Sequence, residues 1–205
     1  MARGPRYCVP FQRRKHGKTD YKKRRALVLS GKPRLVARFS LRNVVAQIVV
    51  AKPYGDEVLV SAHSRELTKK YGWKAPNGNL PSAYLTGFLC GSKAKGMKEA
   101  ILDVGLHSPT KGAKTFALLK GVVDAGIKIP HSEEKLPSEE RIKGGHIAKY
   151  AESLASSNPE MYQSKFSRFL KSKLPPEELP KHFAKVKKEI LAAFKGGEKK
   201  SETKS

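Results

Sequence analysis

The run Arg34-Leu35-Val36-Ala37-Arg38-Phe39-Ser40, then Leu41-Arg42-Asn43, then Val44-Val45-Ala46-Gln47-Ile48-Val49-Val50 decides the fold class. The first seven residues alternate apolar and basic side chains over part of their length, as a half-buried strand does. Leu41-Arg42-Asn43 is short enough to be a tight connection, and the seven residues after it form a β-branched strand. Beyond Tyr54-Gly55-Asp56 a third strand reads Glu57-Val58-Leu59-Val60-Ser61-Ala62. Three strands joined by short turns imply an antiparallel meander.

Downstream the period changes. Residues 64–71 suit a short helix with Ser64 as cap and Gly72 as stop. Pro81 opens a longer helix through Met97, with Tyr84, Leu85, Phe88 and Leu89 on its apolar face. Residues 100–104 read as a buried strand. A loop over 105–112 then leads to a helix over about 113–125, ended by Gly126. The expected class is α/β: a mixed sheet with an antiparallel meander and flanking helices. Past Pro130 the chain turns helical and charged. Ser138 caps one helix ahead of Glu139 and Glu140. Asn158-Pro159 opens a second, carrying Met161, Tyr162, Phe166, Phe169 and Leu170. Pro180 opens a third, with Phe183, Val186, Ile190, Leu191 and Phe194 on one side. Four segments follow: a basic arm (1–32), a central α/β domain (33–130), a helical extension (131–195) and a disordered tail (196–205).

The charge is uneven. Of 205 residues, 42 are Lys or Arg and 18 are Asp or Glu, a formal net charge of +24. Residues 1–34 hold 12 basic side chains against one acid, Asp20. Such an excess repels itself when compact and points to a polyanionic partner, nucleic acid first. Poor in aliphatic residues before Leu27, the arm is expected to order only on RNA, with the folded chain beginning at Pro33. Cys8 and Cys90 are the only cysteines and match no zinc spacing, so both read as reduced and structural. No stretch reaches the roughly 18–20 apolar residues that span a bilayer, and the N-terminus lacks a signal-peptide core; a soluble intracellular protein is expected.

Within the arm, Arg6-Tyr7-Cys8-Val9-Pro10-Phe11-Gln12-Arg13-Arg14-Lys15 and Thr19-Asp20-Tyr21-Lys22-Lys23-Arg24-Arg25 interleave aromatic and cationic groups. Arginine forks pair two donors with phosphate oxygens, and Tyr or Phe stacks on unpaired bases. A solvated basic tail or localisation signal seldom needs Tyr7, Phe11 and Tyr21. The loop with His107, Ser108, Thr110, Lys111 and Lys114 lies between a strand and a helix N-terminus, where backbone N–H groups favour an anion. Two near-misses to a phosphate-binding loop fail. Gly91-Ser92-Lys93-Ala94-Lys95-Gly96 is followed by Met97-Lys98 instead of Lys and Ser or Thr, and Lys111-Gly112-Ala113-Lys114-Thr115 has His107 where the upstream Gly belongs. The six histidines are scattered. Asp103 and Asp124 read as structural, and the acids are too spread out to hold catalytic magnesium. Neither catalysis, metal nor cofactor is expected. A general nucleic-acid-compacting protein and an RNA-processing enzyme are the alternatives; the first would ignore RNA identity, the second would depend on an acid such as Asp103.

The arm blocks, with Lys32-Pro33-Arg34-Leu35-Val36-Ala37-Arg38, Tyr71-Gly72-Trp73, Ala83-Tyr84-Leu85-Thr86-Gly87, Leu102-Asp103-Val104-Gly105 and Leu119-Lys120-Gly121-Val122-Val123-Asp124-Ala125-Gly126, resemble the universal 5S-rRNA-binding family of the large ribosomal subunit in its archaeal form. The resemblance runs in order over about residues 3–155 and weakens in the helices after Asn158. It implies a three-layer domain of ribonuclease-H-like shape without that enzyme's activity. It also implies attachment of 5S rRNA in the central protuberance, contact with the large-subunit rRNA and neighbouring ribosomal proteins, and a cytoplasmic ribosomal location without membrane or small-molecule substrate. By position it makes Arg6, Tyr7, Phe11, Arg13, Arg14, Thr19, Tyr21, Arg24 and Arg25 arm contacts, and Arg34, Arg38, Ser40 and Arg42 contacts of the strand and hairpin. The 107–114 loop departs from the bacterial pattern, which is richer there in Gly and aromatics.

Overall fold

In the computed structural model, which describes residues 4–195, four strands form one sheet: β1 (Arg34–Phe39), β2 (Val44–Lys52), β3 (Gly55–His63) and β4 (Ile101–Asp103). Their order is β3-β2-β1-β4. β1 pairs antiparallel with β2, from Arg34 opposite Val49 to Phe39 opposite Val44, and β2 pairs antiparallel with β3. β4 returns beside β1 in parallel, Leu35 opposite Leu102, so the meander sits in a mixed sheet as predicted. The alternation sorts the side chains. Leu35, Ala37, Ala46, Ile48 and Ala62 are wholly buried on one face, while Val36, Arg38, Gln47 and Val49 line a groove on the other. A bulge at Ile48/Val49 leaves Leu59 without a partner between the Val49–Val58 and Ile48–Val60 pairs. The expected disordered tail, 196–205, lies outside the described residues.

Order begins earlier than the sequence predicts. Two helices precede Pro33: α1 (Gln12–Lys15) and α2 (Tyr21–Leu29). α2 buries no residue, so polar contacts replace the missing apolar packing. Asp20 caps it by accepting the Lys22 and Lys23 N–H groups at 3.0 and 3.2 Å. Arg24 then forks onto Asp56 of β3, with both guanidinium nitrogens at 2.8–2.9 Å from its carboxylate oxygens.

After the meander come α3 (Ser64–Lys70), α4 (Leu80–Lys93) and α5 (Lys114–Asp124). Ser64 does not cap α3. His63 does, its Nδ1 accepting the Arg65 N–H at 3.0 Å while Glu66 accepts the His63 N–H at 3.1 Å. Ser64 instead turns inward and accepts the Val44 N–H at 3.0 Å. α4 starts at Leu80 under an Asn79 cap and ends at Lys93, short of Met97, where Gly96 takes a left-handed φ of 85°. Residues 80–91 of α4 are all buried, as in a helix covered on every side. Its partner is α5, and the two approach backbone to backbone. A side chain on Gly87 would strike the Leu118 carbonyl, and one on Gly121 the Tyr84 carbonyl.

The rest of the described chain comprises α6 (Glu139–Lys143), α7 (Gly145–Ser157), α8 (Pro159–Lys165), α9 (Ser167–Lys171) and α10 (Leu179–Lys195). Ser138 stands at the N-cap of α6 without a side-chain hydrogen bond, whereas Asn158 caps α8 through the Met161 N–H. α10 starts one residue ahead of Pro180. Phe183, Val186 and Ile190 are buried, but Leu191 is 37% exposed because it lies to the side of that stripe. These helices share the core of the sheet domain, for one apolar cluster runs from Leu35 to Ile190. Polar contacts tie α10 down as well. Lys187 donates to the Tyr84 hydroxyl at 2.6 Å, which donates to Asp124 at 2.7 Å. His182 stacks on Trp73 with ring centroids 5.1 Å apart and accepts the Lys74 N–H at 3.1 Å.

Candidate nucleic-acid interface

The arm stands over the uncovered face of the sheet and leaves a groove of about 830 Å³ between them. Arg13, Thr19, Tyr21 and Arg24 line it from the arm, and Arg38 and Gln47 from the sheet. Two aspartates organise its floor. Arg34, 2% exposed, lies 2.9 Å from Asp56 and 3.1 Å from Asp103. Arg38 reaches Asp103 at 3.5 Å and donates to the Asp103 carbonyl at 3.1 Å, and the Gly105 N–H closes on Asp103 at 2.8 Å. The hydrogen bond from Arg24, with help from Arg34, holds the Asp56 carboxyl below its ordinary value despite partial burial.

The structure separates the residues that the sequence grouped. Arg34 stands apart from the others: its guanidinium is buried against the Asp56 and Asp103 carboxylates. Arg24 is spent on Asp56, and Arg13 Nε donates to Thr19 at 2.9 Å, so these three shape the arm. Tyr21 leans on Phe11 at 4.9 Å, leaving Phe11 70% exposed and Tyr7 50% exposed. Arg6 and Arg25 are exposed without an ion-pair partner among the described residues, and Arg14 is exposed beside Asp20. Ser40 builds the hairpin turn by accepting the Asn43 N–H at 3.0 Å, which leaves Arg42 and a 99% exposed Leu41 at its tip.

The 107–114 loop meets that hairpin. His107 sets its ring edge-on to Phe39 at 5.5 Å, and Lys114 lies 5.8 Å over the same ring. Lys114 also donates to the Gly78 carbonyl at 3.3 Å. Ser108, Thr110 and Lys111 are exposed, and Ala113 at the N-cap of α5 supplies no side-chain acceptor for the first-turn N–H groups. Arm, sheet face, hairpin and loop thus form a connected surface dominated by cations. Asp103 is structural, as its sequence context predicts, but Asp56 was missed, and so were the arginine partners of both, because nothing local links them to arginines 22 or more residues away. Among the described residues no group of acids, histidines or cysteines could hold a metal ion, and no helix is long and apolar enough to cross a membrane.

Fold and site together define a basic α/β protein with a cationic arm lying over one face of a mixed sheet. Residues 5–98 and 92–132 match the family described as ribosomal large subunit proteins 60S L5 and 50S L18. Over 204 residues the chain is 53% identical to the large ribosomal subunit protein uL18 of Caldivirga maquilingensis, covering 98% of this chain and 99% of that one. The chain belongs to this family of large-subunit ribosomal proteins, in its archaeal form. Membership places it in the ribosome and so in the cytoplasm.

Proposed function

We propose that the protein binds 5S rRNA and attaches it to the large subunit as part of the central protuberance, touching the large-subunit rRNA and neighbouring ribosomal proteins, with no catalysis. The observation that carries this reading is the dense cationic arm held over an open, arginine-bearing sheet face. Arg6, Arg14 and Arg25, with the exposed rings of Tyr7 and Phe11, supply forks and stacking faces for RNA. Arg13, Thr19, Tyr21 and Arg24 hold the arm in shape, and phosphate competes with Asp56 for the Arg24 fork as the arm closes on its ligand. Arg38, Arg42 and the loop residues His107, Ser108, Thr110, Lys111 and Lys114 extend the contact along the rigid domain, which reads RNA shape. Release of counterions from the phosphates drives the association.

A salt titration of binding to 5S rRNA, with tRNA and duplex DNA as competitors, tests this. A steep slope of about 0.7–0.9 per neutralised phosphate accompanies any basic binder, so preference decides. Retained preference for 5S rRNA near physiological salt is expected. Replacing Arg14 by Ala should weaken binding by about 1–3 kcal/mol if it reads a base, and less if it meets phosphate alone. Equal competition by all three nucleic acids, or full affinity after deletion of the arm, would overturn the proposal.

A further inference from the structure

A second cleft, of about 580 Å³, opens where the α3–α4 connection faces α9. It shares no lining residue with the arm groove. Lys74 stands on one wall and Arg168 and Lys171 on the other, all exposed, and no acid lines the cleft. None of these three cations has an acidic partner among the described residues, unlike Lys93, Lys120, Lys143 and Lys149, which are all paired. Trp73 also lines the cleft and is itself wholly buried, forming its floor. The Lys74 wall is held in place: Trp73 stacks on His182, the Lys74 N–H is fixed by the same imidazole, and Thr68 and Asn77 hydrogen-bond across the connection at 3.1–3.2 Å. The cleft thus sets three cations around a concave surface with one wall fixed.

We propose that this cleft is a second RNA-binding site that takes the sugar–phosphate backbone of the large-subunit rRNA. The inference rests on the reading of the chain as an rRNA binder and adds what attachment requires. A protein that fixes one RNA to another needs two separate cationic faces. The arm groove is one, and the cleft between the connection and α9 is the other. It gives the C-terminal helices an RNA-binding role that the sequence did not assign to them.

The test uses the full chain carrying Lys74→Gln, Arg168→Gln and Lys171→Gln together. Affinity is measured against salt for two transcripts, 5S rRNA and large-subunit rRNA, with thermal unfolding as the folding check. The expected result is a salt slope on large-subunit rRNA lower by about two to three, from about 0.7–0.9 per lost phosphate contact, while the 5S slope stays unchanged. The charge-keeping variant Arg168→Lys with Lys171→Arg should keep the full slope. An unchanged slope on large-subunit rRNA, an equal loss on both RNAs, or a loss seen only with 5S rRNA overturns the proposal, as does a defect confined to binding a protein neighbour. If the triple variant unfolds, Lys171→Gln alone is expected to lower the large-subunit slope by about one, and no change overturns the inference. A wild-type chain without 5S preference would sink the proposed function, yet the slope on large-subunit rRNA would still decide the cleft.

Discussion

Arg34 and Arg14 belong to one basic tract, yet their surroundings give them opposite work. Arg14 is exposed in the arm. Arg34 is buried between Asp56 and Asp103 and joins β1 to both neighbours of the charge network. Removing one member of a buried ion pair strands the others, at a cost of about 3–5 kcal/mol. Arg34→Ala is therefore expected to lower stability in urea by about 3 kcal/mol, with little change in the RNA affinity of the molecules that remain folded. Normal stability together with lost RNA affinity would show that Arg34 faces the ligand after all. Nothing in the sequence distinguishes the two arginines, since alternation marks Arg34 as facing away from the apolar core but cannot reveal what waits on that side.

At the scale of elements, the contact between α4 and α5 depends on two glycines. Gly87 meets the Leu118 backbone and Gly121 meets the Tyr84 backbone, so neither neighbour can move aside as a flexible side chain would. Gly121→Ala should cost at least the roughly 1–3 kcal/mol typical of overpacking, even though alanine favours helix by about 1 kcal/mol. Thermal unfolding would measure it, and a raised Tm would refute the close approach. Helix propensity alone ranks the same substitution as stabilising, so the sign is set by packing. The α3 cap offers a similar lesson. Ser64 is the better capping residue by type, but its burial beside β2 hands the task to His63.

For the molecule as a whole, three imidazoles tie stability to pH. Burial, helped by nearby cations, holds His63, His146 and His182 below the ordinary value of 6.5. His63 and His182 each accept a backbone N–H through a ring nitrogen, and a proton there removes the acceptor. The unfolded chain takes up protons first as the pH falls. The stability these groups contribute is thus fully present above about pH 6.5 and is lost as the pH drops through their lower folded values. Urea midpoints taken between pH 7.5 and 5 should fall on the acid side, and His182→Gln should flatten part of that fall. A midpoint that rises toward pH 5 would contradict this assignment.

Strand order in the meander, the long helices of the central domain and the cationic arm were all determined by the sequence itself. They depend on periodicity, turn residues and charge density, which act over a few residues. The tertiary structure alone decided which arginines are free and which are held, because Asp56 and Asp103 reach Arg24, Arg34 and Arg38 only through the sheet. It likewise decided that the C-terminal helices complete the core on α4 and that Lys74 lies across a cleft from Arg168 and Lys171. Those pairings are set by chain closure over tens to about a hundred residues, and no local preference encodes which distant side chain will stand opposite.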